Sequence, residues 1–405
     1  MVNQRVVATK GMRAAALCAV LALAGCGILP RNAVPVDLMP SAVIPGLPDV
    51  RAAGGRPSPA MMRDLTDSFA QESRDAFRKG ADGRVEYSHL ALSGGGPNGA
   101  FGAGFLKGWS ETGTRPKFKV VTGVSTGALI APFAMLGPRY DGALHDFYTT
   151  TASRNIFRVL SILPQLLGGE SLAETGPLQL LIAQHVDDAF LREIAQAHAQ
   201  GQRLYVGTAD LDSQRFVVWN MGLIAKAGAL QLFRDVLLAS SSIPVAFPPV
   251  FFTVEADGRL YDEMHVDGSV GAFVFYSGGV FSFAAAREAA GLPPASNDIF
   301  VIHNGQLPPT PQATPRSLRS IAMRVFDSAG KASVVGDLFR IYSVSTREGF
   351  GYNWMTIPPG VELTGNEVFD PAKMQSLYDL GYRMAKEGPR WFTRPPGFNE
   401  MQAAP

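Results

Sequence analysis

Apolar positions along the chain fall into runs of two lengths. Phe118-Lys119-Val120-Val121 is short and rich in β-branched residues, as a buried strand is, whereas Ala128 to Leu136 is apolar throughout and reads as a buried helix. Val85 to Ser93 predicts another strand, and Phe105 to Trp109 lies in a helix that follows a glycine-rich stretch. Leu204–Thr208 and Arg215–Trp219 flank a polar turn as two strands. Phe233–Ser240 is helical, and Tyr261–Val266 and Asp298–His303 are further strands. Strand, glycine loop, helix, strand, tight turn and helix make a βαβα unit, which implies a parallel sheet with helices on its faces. Ahead of it, Ser58-Pro59 has the form of an N-cap followed by a first-turn proline. Met62, Leu65, Phe69 and Phe77 then trace one face of a helix running through Arg78. Ile156 to His198 reads as mostly helical. Its apolar piece Ile156–Leu167, broken by Pro164, suits either a lipid-facing lid or a buried helix pair. From Pro315 the pattern gives two helices, an extended piece near 351–357 and a helix over Pro371–Lys386.

Composition narrows the class. The chain has 405 residues, 46% of them hydrophobic, enough for a substantial core. Its net charge is +1, from 36 basic and 35 acidic residues, with no polybasic block, so nucleic acid is not an expected partner. At the N-terminus Arg5, Lys10 and Arg13 precede the apolar stretch Ala14–Ala24, which is too short to span a bilayer. The stretch ends in Leu23-Ala24-Gly25-Cys26, which resembles the lipobox of bacterial lipoproteins. That resemblance implies that residues 1–25 are removed and that Cys26 is lipidated, anchoring the chain in the bacterial cell envelope. Gly27, where an aspartate would signal inner-membrane retention, favours the outer membrane. A plain secretory signal with an accidental cysteine is the alternative. Cys18 leaves with the signal, so the mature chain keeps neither a disulfide nor a thiol nucleophile. Residues 26–59 carry seven prolines and are expected to form an extended tether. The remainder divides into a catalytic domain at 60–305 and a mainly helical extension at 306–405.

Two loops carry candidate chemistry. Gly123-Val124-Ser125-Thr126-Gly127 sits between a strand and a helix, so Ser125 is expected on a sharp elbow, with Gly123 and Gly127 allowing strand and helix to approach. Gly94-Gly95-Gly96-Pro97-Asn98-Gly99 also follows a strand. It satisfies G-x-G-x-x-G, yet the acidic ribose ligand expected at the end of the second strand is missing, and no Gly-Lys-Ser/Thr follows, so no nucleotide is expected. As an oxyanion hole the loop makes better sense: backbone N–H groups of Gly94, Gly95, Gly96 and Asn98, with that of Thr126, can converge on one oxygen. The serine needs a base. His303 fits the Ser…Asp…His order of α/β-hydrolases, and Asp267, in Val266-Asp267-Gly268, fits if desolvation raises its pKa. Asp210 and Asp212 have the spacing of either a divalent-metal pair or a polar turn. No zinc-spaced cluster or EF-hand loop is present, and neither metal nor cofactor is expected.

The glycine loop, the elbow and Asp267-Gly268, in that order, resemble the patatin-like phospholipases, as does the serine-proline segment Ala239–Pro249. The likeness spans about residues 86–305. It implies a three-layer α/β/α fold with a central, mostly parallel sheet. It also implies a Ser–Asp dyad in which Ser125 is nucleophile and Asp267 base, acting on phospholipid or another acyl-ester lipid. The chain departs from the family at Asn98, where Arg or Lys is usual, and at Pro97, which has no N–H to donate. Acyl transfer by the same dyad, or a non-catalytic envelope lipoprotein, are the alternative functions.

Overall fold

A computed structural model describes residues 31–159, 171, 173–363 and 367–398. The signal segment 1–25, Cys26 and most of the apolar piece 156–167 lie outside the described residues.

Short β-branched stretches supply the strands: β1 (Arg51–Ala53), β2 (Glu86–Leu92), β3 (Phe118–Val124), the short pair β4 (Arg158–Val159) and β5 (Ala173–Glu174), β6 (Arg203–Asp210), β7 (Arg215–Asn220), β8 (Val250–Ala256), β9 (Arg259–Asp267), β10 (Ser296–His303) and β11 (Gly351–Thr356). The main sheet runs β1-β7-β6-β3-β2-β10-β11. Its centre, from β6 through β3, β2 and β10 to β11, is parallel, and the β6–β7 hairpin turns back antiparallel. Side chains alternate across this sheet and build two cores. Leu90, Leu92, Phe118 and Val121 face one side with Phe105, Leu106 and Met374, while Ala91, Val120 and Val124 face the other with Leu65, Phe69, Phe283 and Leu338. Helices on both faces complete a three-layer α/β/α fold.

The helix Pro371–Lys386 lies directly on Gly99–Glu111 through small residues. A Cβ at Gly104 would stand 2.0 Å from the Tyr378 carbonyl oxygen, and one at Gly381 2.1 Å from that of Phe101. The helix Pro371–Lys386 thus packs into one outer layer, while Leu338 of Leu318–Glu348 packs on the opposite face.

Several elements differ from the sequence reading. Residues 31–59 are not a free tether. Arg31 forks onto Asp212 and bonds Asp262, β1 pairs with β7, and Val34, Ile44 and Val50 are buried. The Ser58-capped helix stops at Ala70 rather than Arg78. Beyond it the chain turns, so that Glu72 reaches the buried Lys119 ammonium and Phe77 packs edge-on against Tyr87. Leu318–Glu348 is one continuous helix, not two.

Candidate active site

The site follows from strand register. β3 and β9 approach β6 along the same lane from opposite ends: Val124 stands opposite Gly207 and Asp267 opposite Thr208. The residue after β3 is Ser125, so the sheet itself sets Ser125 and Asp267 facing each other. Ser125 has φ 54 and ψ −126, a backbone conformation that L-residues rarely adopt. Its neighbours enforce this. A Cβ at Gly123 would meet the Gly127 carbonyl oxygen at 2.3 Å, and one at Gly127 the Leu92 carbonyl oxygen at 2.3 Å. The Ser125 N–H donates to Ser240 Oγ at 3.0 Å, whose hydroxyl donates to the Gly207 carbonyl at 2.7 Å. Ser240 therefore pins the elbow to β6, a role that the sequence hinted at only through the segment that contains it.

Asp267 is 1% exposed. Its Oδ1 accepts the Ser269 N–H at 2.8 Å, while Oδ2 is buried without a hydrogen-bond partner. Burial pushes the carboxyl up to about 6, against the opposing pull of the Ser125 hydroxyl and of Ser269. An orphaned acceptor beside a hydroxyl, with a pKa near neutrality, is what a general base needs. His303, the other candidate base, is engaged elsewhere: its Nδ1 lies 3.1 Å from Ser93 Oγ, and burial lowers it to about 4. Among the described residues no histidine bonds Ser125.

The glycine loop stands against Ser125, for a Cβ at Gly94 would come 3.3 Å from that of Ser125. Its amides are not equivalent. The Gly94 N–H donates to the Phe273 carbonyl at 2.9 Å and the Asn98 N–H to the Gly95 carbonyl at 3.1 Å, so these two are spent. The N–H groups of Gly95, Gly96 and Thr126 have no partner among the described residues. Of the five N–H groups expected to converge on one oxygen, three are thereby left unpaired. Thr126 also opens the helix Thr126–Leu136, whose N-terminal dipole favours negative charge at that point. Tyr148 braces it, donating from its hydroxyl to the Thr126 carbonyl at 3.1 Å.

Ser125 opens into a narrow apolar cleft, with a cavity of about 40 Å³, walled by Leu129, Phe147, Ile156, Phe247, Phe369 and Met374. Two reciprocal hydrogen bonds, Ser153 N–H to Phe369 O at 3.1 Å and Phe369 N–H to Ser153 Oγ at 3.0 Å, hold the far wall.

Residues 90–278, which include the loop, the elbow and Asp267, match the family model described as patatin-like phospholipase. That stretch is similar to a patatin-like phospholipase domain. The match supports lipid-ester hydrolysis as the reaction class. Similar solved structures include VipD from Legionella pneumophila (12% identity, 76% of this chain and 69% of that one, TM-score 0.33). ExoU from Pseudomonas aeruginosa, solved with SpcU, is 14% identical over 74% of this chain and 51% of its own, TM-score 0.27. Human GIVD cytosolic phospholipase A2 is 9% identical over 79% of this chain and 56% of its own, TM-score 0.32. The chain thus spans little more than half the length of the last two. No curated protein shows significant similarity to it.

Phe369 and Met374 lie outside the matched patatin-like domain, so part of the cleft wall comes from the C-terminal residues. Asp210 and Asp212 are committed as well. Asp212 is held by Arg31, and Asp210 accepts from Ser213 Oγ and from the Asp212 N–H at 3.0 Å. Asp210, Glu263 and His265 cluster closely enough to suggest a cation, but Glu263 is clamped by Arg51 and His265 Nδ1 lies 2.9 Å from Thr208 Oγ1. These contacts describe an ion-pair network behind β9 rather than an open metal site.

Proposed function

We propose that the chain is a lipid acyl hydrolase with a Ser125–Asp267 dyad. Ser125 Oγ attacks the ester carbonyl of a phospholipid or related acyl lipid as its proton passes to Asp267 Oδ2. The N–H groups of Gly95, Gly96 and Thr126 hold the oxyanion. Collapse breaks the ester C–O bond, and the leaving alcohol takes the proton from Asp267. Water, deprotonated by the same carboxylate, then attacks the acyl-enzyme; the bond from the acyl carbon to Ser125 Oγ breaks, Oγ takes the proton back from Asp267, and the fatty acid leaves. The observation that carries this reading is the unpaired, buried Asp267 Oδ2 beside a serine held in a strained conformation. The apolar side chains that line the cleft at Ser125 support an acyl group as the group transferred.

The test is fatty-acid release from mixed phospholipid vesicles by the full chain, beside Ser125→Ala and Asp267→Asn. Release that collapses in both variants is expected. Release that survives in Ser125→Ala would refute the reading. Addition of an acceptor alcohol or lysolipid separates hydrolysis from acyl transfer by the product formed.

We also propose that a lipid on Cys26 holds the enzyme at the outer membrane. Only residues 27–30 separate that cysteine from Arg31, which is pinned to Asp212 and Asp262. A leash that short reaches at most about 18 Å, so the body would sit close to the leaflet rather than swing from it. Palmitate incorporation that persists in Cys26→Ser would overturn the anchor.

A further inference from the structure

The long helix Leu318–Glu348 lies beyond the matched domain, yet it touches the catalytic loops at one point. Asp337, with its side chain 1% exposed, directs Oδ2 at the backbone of the segment that follows Asp267. It accepts the Phe273 N–H at 2.7 Å and lies 3.4 Å from the Val274 N–H, while Arg340 donates to Oδ1 at 2.6 Å. Phe273 is the residue whose carbonyl accepts the Gly94 N–H. Its ring is wedged against the same helix, since a Cβ at Gly330 would meet it at 2.5 Å.

We propose that Asp337 is a positioning residue for the oxyanion hole, acting through Phe273 on Gly94. This inference rests on the Ser125–Asp267 reading above. One residue joins the two halves of the clamp: the Phe273 N–H is held by Asp337, and the Phe273 carbonyl holds Gly94. The next two amides in the chain, Gly95 and Gly96, are the ones left free to meet an oxyanion. Their aim depends on where Gly94 is fixed, and Gly94 packs directly beside Ser125. The other side of the loop is fixed separately, by Ser93 Oγ donating to the Gly94 carbonyl at 2.7 Å and by the Asn304 N–H donating to Ser93 Oγ at 2.8 Å. Asp337 therefore sets the lateral position of the donors and does not hold the loop together alone. Preorganised donors are sensitive to such displacement because they act on charge that exists only in the transition state, so the effect falls on kcat and not on substrate binding.

The test uses the full chain with a soluble p-nitrophenyl acyl ester, active sites being counted by fluorophosphonate titration, and hydrogen exchange over residues 93–99 as a second readout. Asp337→Ala is expected to lower kcat per titrated site by about tenfold with KM within about twofold, and to speed exchange in 93–99. Asp337→Asn, whose amide oxygen can accept the same N–H, is expected to restore most of both. Gly330→Ala pushes on the Phe273 ring without touching Asp337. It should reproduce the kcat loss, and it stands in if Asp337→Ala does not fold. Unchanged kcat and unchanged exchange in Asp337→Ala would overturn the proposal, as would a loss that Asp337→Asn does not relieve. If the parent turns over no ester, the hydrolase reading fails, and exchange over 93–99 still decides whether Asp337 positions the loop.

Discussion

β3 carries a buried polar group at each end, and the two ends are built on opposite principles. At its start Lys119 is fully buried, with Nζ donating to Ser68 Oγ at 2.7 Å, Glu72 at 2.5 Å and the Gly201 carbonyl at 2.6 Å, over the Phe69 ring at 4.6 Å. Every ammonium proton has an acceptor. Just beyond its other end, Ser125 is strained, and among the described residues Asp267 Oδ2 and three N–H groups have no hydrogen-bond partner. Burial displaces the pKa at both ends, Lys119 down to about 7 and Asp267 up to about 6, so a shifted pKa does not tell the two apart. What separates them is unfinished hydrogen bonding. The Lys119 cluster is complete, as a supporting element of the fold is, and the unpaired groups around Ser125 are those that the proposed hydrolysis uses.

That contrast is sharpest in Ser125→Ala. Hydrolysis should fall by at least about 10⁴-fold while the urea midpoint stays within error of the parent, because the residue's role is chemical. Lys119→Met should do the reverse. Removing one member of a buried ion pair costs about 3–5 kcal/mol, measured by urea unfolding, with turnover per titrated site unchanged. If Lys119→Met lowered turnover as strongly as stability, the division between the two ends would fail.

Asp267→Asn tests the same contrast by pH. The folded carboxyl ionises near 6 and the unfolded one near 3.8, so on raising the pH the unfolded chain loses its proton first. Stability is therefore undiminished below about pH 4, falls between the two values, and above pH 6 carries a penalty of about 3 kcal/mol. Asparagine carries no such penalty. The variant should be more stable than the parent at pH 8 and equal to it at pH 4 by thermal or urea unfolding, although inactive. The smallest effect is expected for Tyr148→Phe. Loss of the hydroxyl that bonds Thr126 should cost about 1 kcal/mol of stability, with only a slight fall in kcat.

The geometry that mattered most was written locally. The glycines at 123 and 127 mark where strand and helix backbones nearly touch, and the short apolar runs in Glu86–Leu92 and Phe118–Val124 read as buried strands. Legibility ended where long-range partners decide. Nothing near Gly94 or Asn98 announces that their amides are consumed, because the acceptors are Phe273, far along the chain, and Gly95 in a turn of unusual backbone. The proline-rich stretch after Arg31 reads as a linker until Asp212 and Asp262, far downstream, supply its counter-charges. Val250–Ala256 escaped notice because its outward positions include Phe251, which breaks the apolar–polar alternation that an edge strand normally shows. The helix Leu318–Glu348 is continuous because packing of Val334, Leu338 and Ile341 overrides the helix-weakening glycines at 330 and 336.

The central claim is that Asp267 activates Ser125. The most direct test is the rate of covalent labelling of Ser125 by a fluorophosphonate, followed by mass spectrometry across pH 4–9 in the parent and in Asp267→Asn. The account predicts that labelling of the parent rises through a single ionisation near pH 6, and that the variant labels slowly with no such step. A step that persists unchanged in Asp267→Asn, or a label that settles on a residue other than Ser125, would contradict it.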